Sequence, residues 1–292
     1  MLSLSLLMLR AVVLIALADP AAPTGTPTPH VTPTTATTPT TATTTATAPT
    51  PATATATAPT GDTNTAIGQE SRPDKWWIDR HESFNARARQ GAEKGDIDLI
   101  FMGDSITQGW EGAGKGVWQE FYAKRNAANM GIGGDRTQHL LYRIAHGNLD
   151  GLASPQAGHA PKLLVLMIGT NNTSSSPTVR ANTSNEINEG VRAVVQAIRA
   201  KLPETHILVL GIFPRGEKPN PQRTVVEETN ALLATIGDDK TSFKDISEVF
   251  MREDGVIGKD MMPDFLHLSP AAYLRWAEAI EPEVAKHVGA KS

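Results

Sequence analysis

Asp-Leu-Ile-Phe-Met-Gly-Asp-Ser-Ile-Thr, residues 98–107, is an apolar run that ends at a glycine and is followed by an acid and a serine. Similar apolar runs recur along the chain, and amphipathic stretches separate them. Continuous apolar strands that alternate with helices are typical of a parallel sheet covered by helices on both faces. The pattern therefore predicts an α/β domain, a three-layer, doubly wound, flavodoxin-like sandwich with about five parallel strands.

The predicted elements alternate along the chain from residue 74 onward. The predicted strands are Leu99–Met102, Asn126–Ile132, Leu163–Ile168, Ile207–Ile212 and, more weakly, Phe243–Ile246. The predicted helices are Asp74–Gln90, Val117–Lys124, Thr137–His146, Ala181–Lys201, Pro221–Ile236 and Pro270–His287. Ligands of such sheets bind at the carboxyl ends of the strands. The residues that follow each strand are therefore the first candidates for a functional site.

The first 66 residues differ in composition from the rest of the chain. Residues 11–18 form a short apolar stretch that ends in Ala-Leu-Ala, which predicts a secretory signal peptide over residues 1–18. Residues 19–66 are mostly Thr, Pro and Ala, without the large apolar side chains that offset ordering entropy. We expect a disordered linker or O-glycosylated stalk there, followed by one domain over residues 67–292. The protein is then expected to be secreted, periplasmic or held at the cell surface.

Charge and cysteine content exclude several function classes. The chain has 27 Lys and Arg against 31 Asp and Glu, and the basic residues are spread out, which argues against binding to nucleic acid. It has no cysteine, so a disulfide framework is excluded. The apolar stretch over residues 2–18 contains an arginine and is shorter than a membrane span of about 20 residues. No stable membrane span is therefore expected, although a retained anchor is the alternative to cleavage.

A serine, a histidine and an acid stand at two of the candidate places. Ser105 follows the first predicted strand, and Asp264 and His267 lie three positions apart near the other end of the chain. A serine hydroxyl needs an adjacent base to take its proton during attack, and a carboxylate can orient an imidazole for that role. Taken singly, however, an Asp-Ser pair after a strand is more often a helix N-cap. A histidine between Leu266 and Leu268 is likewise more often a packed residue.

Two further loops follow the second and third predicted strands. The loop Asn129–Asp135 contains three glycines, which let backbone N–H groups approach a ligand but are as often turn residues. A dinucleotide site is disfavoured because the G-x-G-x-x-G spacing is not met. The loop Gly169–Asn172 brings a carboxamide to the same edge of the sheet, where asparagine can also simply bridge loop backbone.

Together and in this order, the four places resemble the sequence blocks of the SGNH hydrolases, also called GDSL-type esterases and lipases. The resemblance extends from about Asp98 to Trp276. Within that family, four segments resemble the platelet-activating-factor acetylhydrolase catalytic α subunits: residues 129–135, 168–172, 211–221 and 264–268. The α/β-hydrolase fold is disfavoured because no G-x-S-x-G motif is present.

The resemblance implies a serine esterase that works through an acyl-serine intermediate without a metal or an organic cofactor. Ser105 would be the nucleophile, His267 the general base and Asp264 the residue that orients it. The backbone N–H groups of Ser105 and Gly134 and the side-chain amide of Asn171 would form the oxyanion hole. The resemblance to the α subunits also hints at a homodimer.

The substrate is less narrowly defined by the sequence. Bulky residues beside the catalytic positions, Ile106, Thr170 and Leu266, suggest a short acyl pocket and hence acetyl or other short-chain esters. An exported esterase of this kind could deacetylate carbohydrates. A phospholipid or lysophospholipid acylhydrolase and a non-catalytic surface carbohydrate-binding protein are the alternatives. His139 and His146, seven positions apart, are too widely spaced for a metal pair on adjacent helical turns, and we expect surface or packing roles for them.

Overall fold

The computed structural model describes residues 63–153, 158–175 and 179–291. The predicted signal peptide and most of the predicted linker therefore lie outside the described residues. The described residues form a five-stranded, all-parallel sheet with helices on both faces, which confirms the predicted fold class. In these three ranges, none of the helices has the length and apolar character needed to cross a membrane.

The strands and helices follow the predicted alternation. The strands are β1 Leu99–Gly103, β2 Ala127–Gly131, β3 Leu163–Met167, β4 His206–Leu210 and β5 Thr241–Lys244. The described helices are α1 Lys75–Lys94, α2 Ser105–Gln108, α3 Lys115–Phe121, α4 Thr137–Ala145, α5 Ser184–Lys201, α6 Pro221–Leu233 and α7 Pro270–Val288. The spatial order of the strands is β2-β1-β3-β4-β5. The order reverses direction beside β1, and such a switch point is where ligands bind in open α/β sheets.

Two apolar layers cover the sheet because successive side chains of a strand point to opposite faces. In β1, Ile100 and Met102 enter the layer that contains residues of α1, α4, α5 and α6. Leu99 and Phe101 enter the other layer, which contains residues of α3 and α7. All four side chains are fully buried. The near-continuous apolar sequence of β1 thus follows from burial on both sides.

The chain makes a close turn at the carboxyl ends of the central strands. Gly103, the last residue of β1, is level with Gly131 of β2 and Met167 of β3. A Cβ atom at Gly131 would overlap the backbone N of Gln108, so glycine is required for α2 to lie directly against the end of β2. The turn from β1 into α2 therefore places residue 105 at the switch point of the sheet.

The start of the folded domain differs from the composition-based boundary. Residues 63–66 were assigned to the linker, but Ala66 is fully buried and its carbonyl accepts a hydrogen bond of 2.8 Å from Thr137 Oγ1. Ala66 also packs against Gly190, whose missing side chain leaves room for it. Asn64 caps the short 3₁₀ helix Thr65–Ile67 through its side chain. The composition of this segment resembles that of a spacer, but its small residues are what allow this close contact.

Candidate active site

Ser105 is the first residue of α2 and lies half-buried directly after β1. The N-cap of this helix is Asp104, whose Oδ1 accepts a hydrogen bond of 2.9 Å from the Ile106 N–H. The cap thus occupies the neighbouring residue and leaves the Ser105 hydroxyl available for other contacts. Of the two interpretations of the Asp-Ser pair, capping applies to the aspartate.

His267 lies between Ser105 and Asp264 in space. Its Nε2 is 2.9 Å from Ser105 Oγ, and its Nδ1 is 2.7 Å from Asp264 Oδ2. Asp264 Oδ1 also accepts hydrogen bonds from the backbone N–H groups of Leu266 and His267, at 3.1 and 2.7 Å. One carboxylate therefore fixes both the turn that carries the histidine and the orientation of its ring.

The protonation of this group follows from its contacts. Partial burial raises the pKa of Asp264, but the hydrogen bonds from the His267 ring and from the His267 and Leu266 N–H groups outweigh burial, and the pKa lies below its ordinary value. An ionised Asp264 makes Nδ1 of His267 the donor of their hydrogen bond. Nε2 is then the acceptor for the Ser105 hydroxyl. This is the tautomer that a general base toward Ser105 requires.

Two loops bring the predicted oxyanion donors to the same edge. The backbone at Gly134 has φ +77°, in the left-handed region that favours glycine. Asn171 Nδ2 donates a hydrogen bond of 2.9 Å to the carbonyl of Asp135, the next residue along. On the other side, a Cβ at Gly133 would lie 3.7 Å from Ser105 Cβ. The structure thus brings Asn171 to the Gly134 loop and that loop to Ser105.

The side chains that hold the Gly134 loop were not among the residues predicted from the sequence. Gln108 Oε1 accepts a hydrogen bond of 2.7 Å from the Gly133 N–H, and Arg72 Nη1 donates one of 2.7 Å to the Gly133 carbonyl. Gln108 lies one turn after Ser105 on α2, so its position near the site could have been predicted from helical spacing. Arg72 lies outside the matching sequence blocks, and its role depends on tertiary contacts.

A buried ion pair lies beneath the same loop. Asp135 Oδ1 accepts a hydrogen bond of 2.7 Å from Trp77 Nε1, and Oδ2 accepts one of 2.8 Å from Arg143 Nε. Arg143 also donates to the carbonyls of Met130 and Gly103, at 3.2 and 3.3 Å, near the ends of β2 and β1. Burial raises the pKa of Asp135, while Arg143 and Trp77 oppose that rise. This pair ties two strand ends to the loop that carries Gly134.

Asn172, next to the predicted oxyanion residue, is fully buried. Its Oδ1 accepts a hydrogen bond of 3.0 Å from the Thr137 N–H at the start of α4. Its Nδ2 donates to Asn182 Oδ1, also at 3.0 Å. Asn172 therefore holds the 3₁₀ helix Thr170–Thr173 in place, while Asn171 on the same helix faces the Gly134 loop.

The three residues predicted to line an acyl pocket differ in exposure. Leu266 is partly exposed, whereas Ile106 is 1 % exposed and Thr170 is fully buried. Ile106 packs into the apolar layer beside α7, and the Thr170 carbonyl accepts a hydrogen bond from Arg215. Ile106 and Thr170 are therefore not walls of the open depression beside the serine, contrary to the prediction. That depression is lined by Ser105, Gln108, Gly109, Glu111 and Gly112.

The two histidines of the α4 region have packing roles, as predicted. His139 Nδ1 accepts a hydrogen bond of 3.1 Å from the Arg136 N–H, and burial, with nearby arginine charges, lowers the pKa of His139 to about 3. His146 stacks on Tyr142 with ring centroids 3.9 Å apart. Across the described ranges, no group of three or more His, Asp or Glu side chains is arranged to hold a metal ion.

The contacts at Ser105 define what the site can do chemically. A hydroxyl, an imidazole and a carboxylate are joined by two hydrogen bonds in series, of 2.9 and 2.7 Å. Such an arrangement can remove the hydroxyl proton as the oxygen attacks a carbonyl carbon and can return it to a leaving alcohol. The depression is open and partly polar, because Gln108 and Glu111 line it. The geometry is therefore suited to acyl transfer from an ester.

Comparison with known proteins agrees with this chemistry. Residues 101–275 match the model of the GDSL-like Lipase/Acylhydrolase family. Platelet-activating factor acetylhydrolase IB subunit alpha1 of Homo sapiens is 32% identical over 207 residues, which cover 70% of this chain and 81% of that protein. The chain belongs to the GDSL-like lipase/acylhydrolase family. This GDSL-like acylhydrolase also shares 34% identity over 209 residues with subunit alpha2 of Rattus norvegicus, covering 71% and 82% of the two chains.

Solved structures show the same fold. A GDSL-like lipase from Bacteroides thetaiotaomicron superposes with a TM-score of 0.52 at 18% identity, over 70% of this chain and 97% of the other. A catalytic mutant of an acetylxylan esterase from Geobacillus stearothermophilus gives a TM-score of 0.50 at 19% identity, over 66% and 96%. Family membership confirms the resemblance found in the sequence and makes the GDSL-like acylhydrolase an ester hydrolase.

Proposed function

We propose that this GDSL-like acylhydrolase removes acetyl and other short acyl groups from esters, with Ser105 as nucleophile, His267 as general base and Asp264 as its orienting acid. The single observation that carries the proposal is the 2.9 Å contact between His267 Nε2 and Ser105 Oγ. The other ring nitrogen, Nδ1, donates a hydrogen bond of 2.7 Å to Asp264, which supports the base in the required tautomer.

In the proposed reaction, His267 takes the Ser105 proton while Oγ attacks the ester carbonyl. The protonated imidazole then gives the proton to the leaving alcohol, and an acyl-serine remains. Water repeats the sequence and releases the acid. Negative charge on the former carbonyl oxygen is stabilised by the Ser105 and Gly134 N–H groups and by Asn171. A carboxamide nitrogen has two hydrogens, so Asn171 can donate one to the oxyanion while the other stays bonded to the Asp135 carbonyl.

Short acyl groups are favoured by the names of the relatives. Both curated relatives described above are named acetylhydrolases. Leu266, which is partly exposed, is the one member of the predicted set that can contact the acyl group.

For the alcohol part of the ester, we propose a carbohydrate. The depression beside Ser105 contains the amide of Gln108 and the carboxylate of Glu111, which can hydrogen-bond to hydroxyl groups. The sequence of residues 1–66 favours export, where acetylated polysaccharides are accessible substrates. A phospholipid is the second candidate, because the curated relatives are named for platelet-activating factor.

One set of measurements separates these possibilities. Purified protein is treated with a fluorophosphonate probe, and hydrolysis is measured for nitrophenyl esters of graded chain length, acetylated xylo-oligosaccharides and a phospholipid analogue. We expect labelling that Ser105→Ala abolishes, fastest turnover of acetyl esters and hydrolysis of the sugar ester. Absence of labelling in folded protein would contradict the serine mechanism, and faster turnover of long-chain esters would contradict acetyl preference. Hydrolysis of the phospholipid analogue alone would favour the second candidate.

We also propose that the protein is exported and cleaved near residue 18. The proposal rests on the apolar stretch that ends in Ala-Leu-Ala and on the Thr-, Pro- and Ala-rich segment after it. N-terminal sequencing of the protein recovered from its producing cells tests this directly. A mature chain that begins near residue 19 supports export, whereas recovery of the intact N-terminus from the cytoplasm contradicts it.

A further inference from the structure

The segment Pro214–Pro221 is part of the stretch 211–221 that resembles the platelet-activating-factor acetylhydrolase α subunits, and it has no part in the chemistry proposed above. It lies between β4 and α6, at the same edge of the sheet as Ser105. We propose that Arg215 is a positioning residue. Together with the adjacent Gly216, it holds the 3₁₀ helix Thr170–Thr173, called the Asn171 helix below, and the Asp264–His267 turn in position relative to each other. The inference rests on the proposed serine mechanism and adds a residue that acts through its other members.

Arg215 binds the short helix that carries the oxyanion residue. Its Nη1 donates a hydrogen bond of 3.0 Å to the carbonyl of Thr170, which belongs to the peptide immediately before Asn171. The same nitrogen lies 3.3 Å from Thr173 Oγ1 and 3.4 Å from Ser174 Oγ. These contacts span the 3₁₀ helix from its first residue to its C-cap. A guanidinium at this place therefore fixes the direction in which Asn171 points.

Gly216 binds the turn that carries the base. Its N–H donates a hydrogen bond of 2.7 Å to the carbonyl of Phe265. Phe265, between Asp264 and His267, has φ +60°, which is uncommon for a residue with a bulky side chain and is held only by surrounding contacts. The Gly216 bond is one such contact. Two adjacent residues of one loop thus reach the two halves of the proposed catalytic machinery.

The loop can position other groups because it is itself anchored from behind. Arg223, 1 % exposed, donates to the carbonyl of Arg215 at 3.0 Å, to that of Gly216 and to that of Gly255 at 2.6 Å. Asn220 Nδ2 donates a second hydrogen bond of 2.9 Å to the Arg215 carbonyl. Charge-assisted bonds of this kind are strong and directional. The Arg215 side chain therefore extends from a rigid backbone toward the Asn171 helix.

The chain offers a matched control at the opposite edge of the sheet. Arg199 on α5 also donates to backbone carbonyls, in this case those of Leu202, Pro203, Thr205 and Lys240. These carbonyls precede β4 and β5, at the amino ends of the strands. Arg199→Met removes a comparable set of bonds far from the serine, so it separates general loss of stability from loss of positioning.

The first experiment measures kcat and KM for nitrophenyl acetate, with thermal unfolding as the check on folding. Arg215→Met is expected to lower kcat by about 10- to 100-fold with KM changed less than about twofold, because transition-state interactions depend on Asn171 and His267. Arg215→Lys keeps the charge, and its kcat should lie between those of wild type and Arg215→Met. Arg199→Met should lower the unfolding temperature and leave kcat unchanged. Wild-type kcat in either Arg215 variant, or an equal kcat loss in Arg199→Met, overturns the proposal.

A double-mutant cycle tests the route through Asn171. If Arg215 acts by positioning Asn171, Arg215→Met should cost less than about threefold in kcat once Asn171→Ala is present, because the positioned group is gone. The same fold-loss in both backgrounds overturns that route. Failure of the serine mechanism itself has a different signature, since Ser105→Ala would then retain hydrolysis whatever happens at residue 215.

Discussion

Ser105 lies between two regions that differ in access to water. The open side is the turn of Asp264 and His267, whose side chains are 56% and 48% exposed. The buried side consists of Asp104, Asp135 and Arg143, all of which are fully buried. Both regions contain carboxylates that accept short hydrogen bonds, yet only the open side contacts the serine hydroxyl.

The difference shows how one fold assigns different tasks to chemically identical groups. Hydrogen bonds hold the pKa of Asp264 below its ordinary value although partial burial opposes them, so it is ionised beside the base. On the buried side, burial raises the pKa of Asp135, and it raises the pKa of Asp104 to about 7. In the proposed mechanism, protons are exchanged on the open side, where water has access, and the geometry of the Gly134 loop is held on the buried side, where water is excluded. The predictions below test whether substitutions on the open side mainly change activity and those on the buried side mainly change stability.

The largest expected effect is on the open side. His267→Ala should lower kcat/KM for nitrophenyl acetate by about 10,000-fold or more, because the proposed base for Ser105 is removed. The half-exposed ring contributes little to folding, so the free energy of unfolding should change by less than about 0.5 kcal/mol. His146→Ala, at an exposed histidine that stacks on Tyr142, is the control and should retain activity. A large loss of stability in His267→Ala would contradict the proposed difference between the open and the buried side.

The buried side should respond in the opposite way. Arg143→Met removes the guanidinium that is hydrogen-bonded to the buried carboxylate of Asp135 and leaves Arg72, at 4.0 Å, as a charged neighbour. Removal of one member of a buried pair costs about 3–5 kcal/mol. Urea denaturation measures this change. The control is Lys75→Met in the exposed Lys75–Asp79 pair, where we expect less than about 0.5 kcal/mol. Similar costs for the two substitutions would show that the buried pair does not support the fold.

Asn171 lies between the two regions and should show an intermediate effect. Asn171→Ala removes one of the proposed oxyanion donors and should lower kcat by about 100- to 1,000-fold. Because the donor acts mainly on the transition state, KM should change little. Asn185→Ala, at an exposed asparagine on α5, is the matched control and should behave as wild type. A rise in KM with normal kcat would assign Asn171 to substrate binding instead.

Much of this arrangement could be predicted from the sequence, because it depends on local pattern. The apolar run of β1 predicted its burial on both faces, and the positions of Ser105 and Asn171 after apolar strands predicted a common edge. The Asp264–His267 contact spans three residues and could be proposed from spacing alone. A helix that begins at Ser105 was expected from the Asp-Ser pair after β1, but its end was not, because four residues are too few to show a periodicity.

Long-range partnerships were not predictable in the same way. Arg215 and Thr170 are 45 residues apart, and no local pattern indicates which carbonyl a loop arginine will bind. Arg143 lies on a helix that was correctly predicted, but a charged residue on an amphipathic helix is ordinarily assigned to its exposed face. Ile106 was misassigned because being next to Ser105 in sequence does not determine which side of α2 faces the core.

The smallest expected effect is a change in pH dependence at Asp104. Its Oδ2 has no hydrogen-bond partner among the described residues, and burial raises its pKa from the ordinary 3.8 to about 7. The unfolded chain releases this proton near pH 4 and the folded protein only near pH 7, so the folded state binds more protons between these values. Stability must then fall as pH rises through this window, by at most about 1.4 kcal/mol per pH unit.

Asp104→Asn removes that titrating proton. The free energy of unfolding of this variant should therefore change less with pH between 5 and 7 than that of wild type. Asp264, whose pKa is lowered, acts with the opposite sign and only below the unfolded value near 4, so it does not contribute in this window. Asp135 is present in both proteins, and its own contribution is expected to cancel largely in the difference. Urea denaturation of the two proteins at pH 5, 6 and 7 measures the slopes. Parallel curves would show that Asp104 is ionised in the folded protein throughout this range. That result would contradict the expectation that burial keeps its carboxyl group neutral in acid.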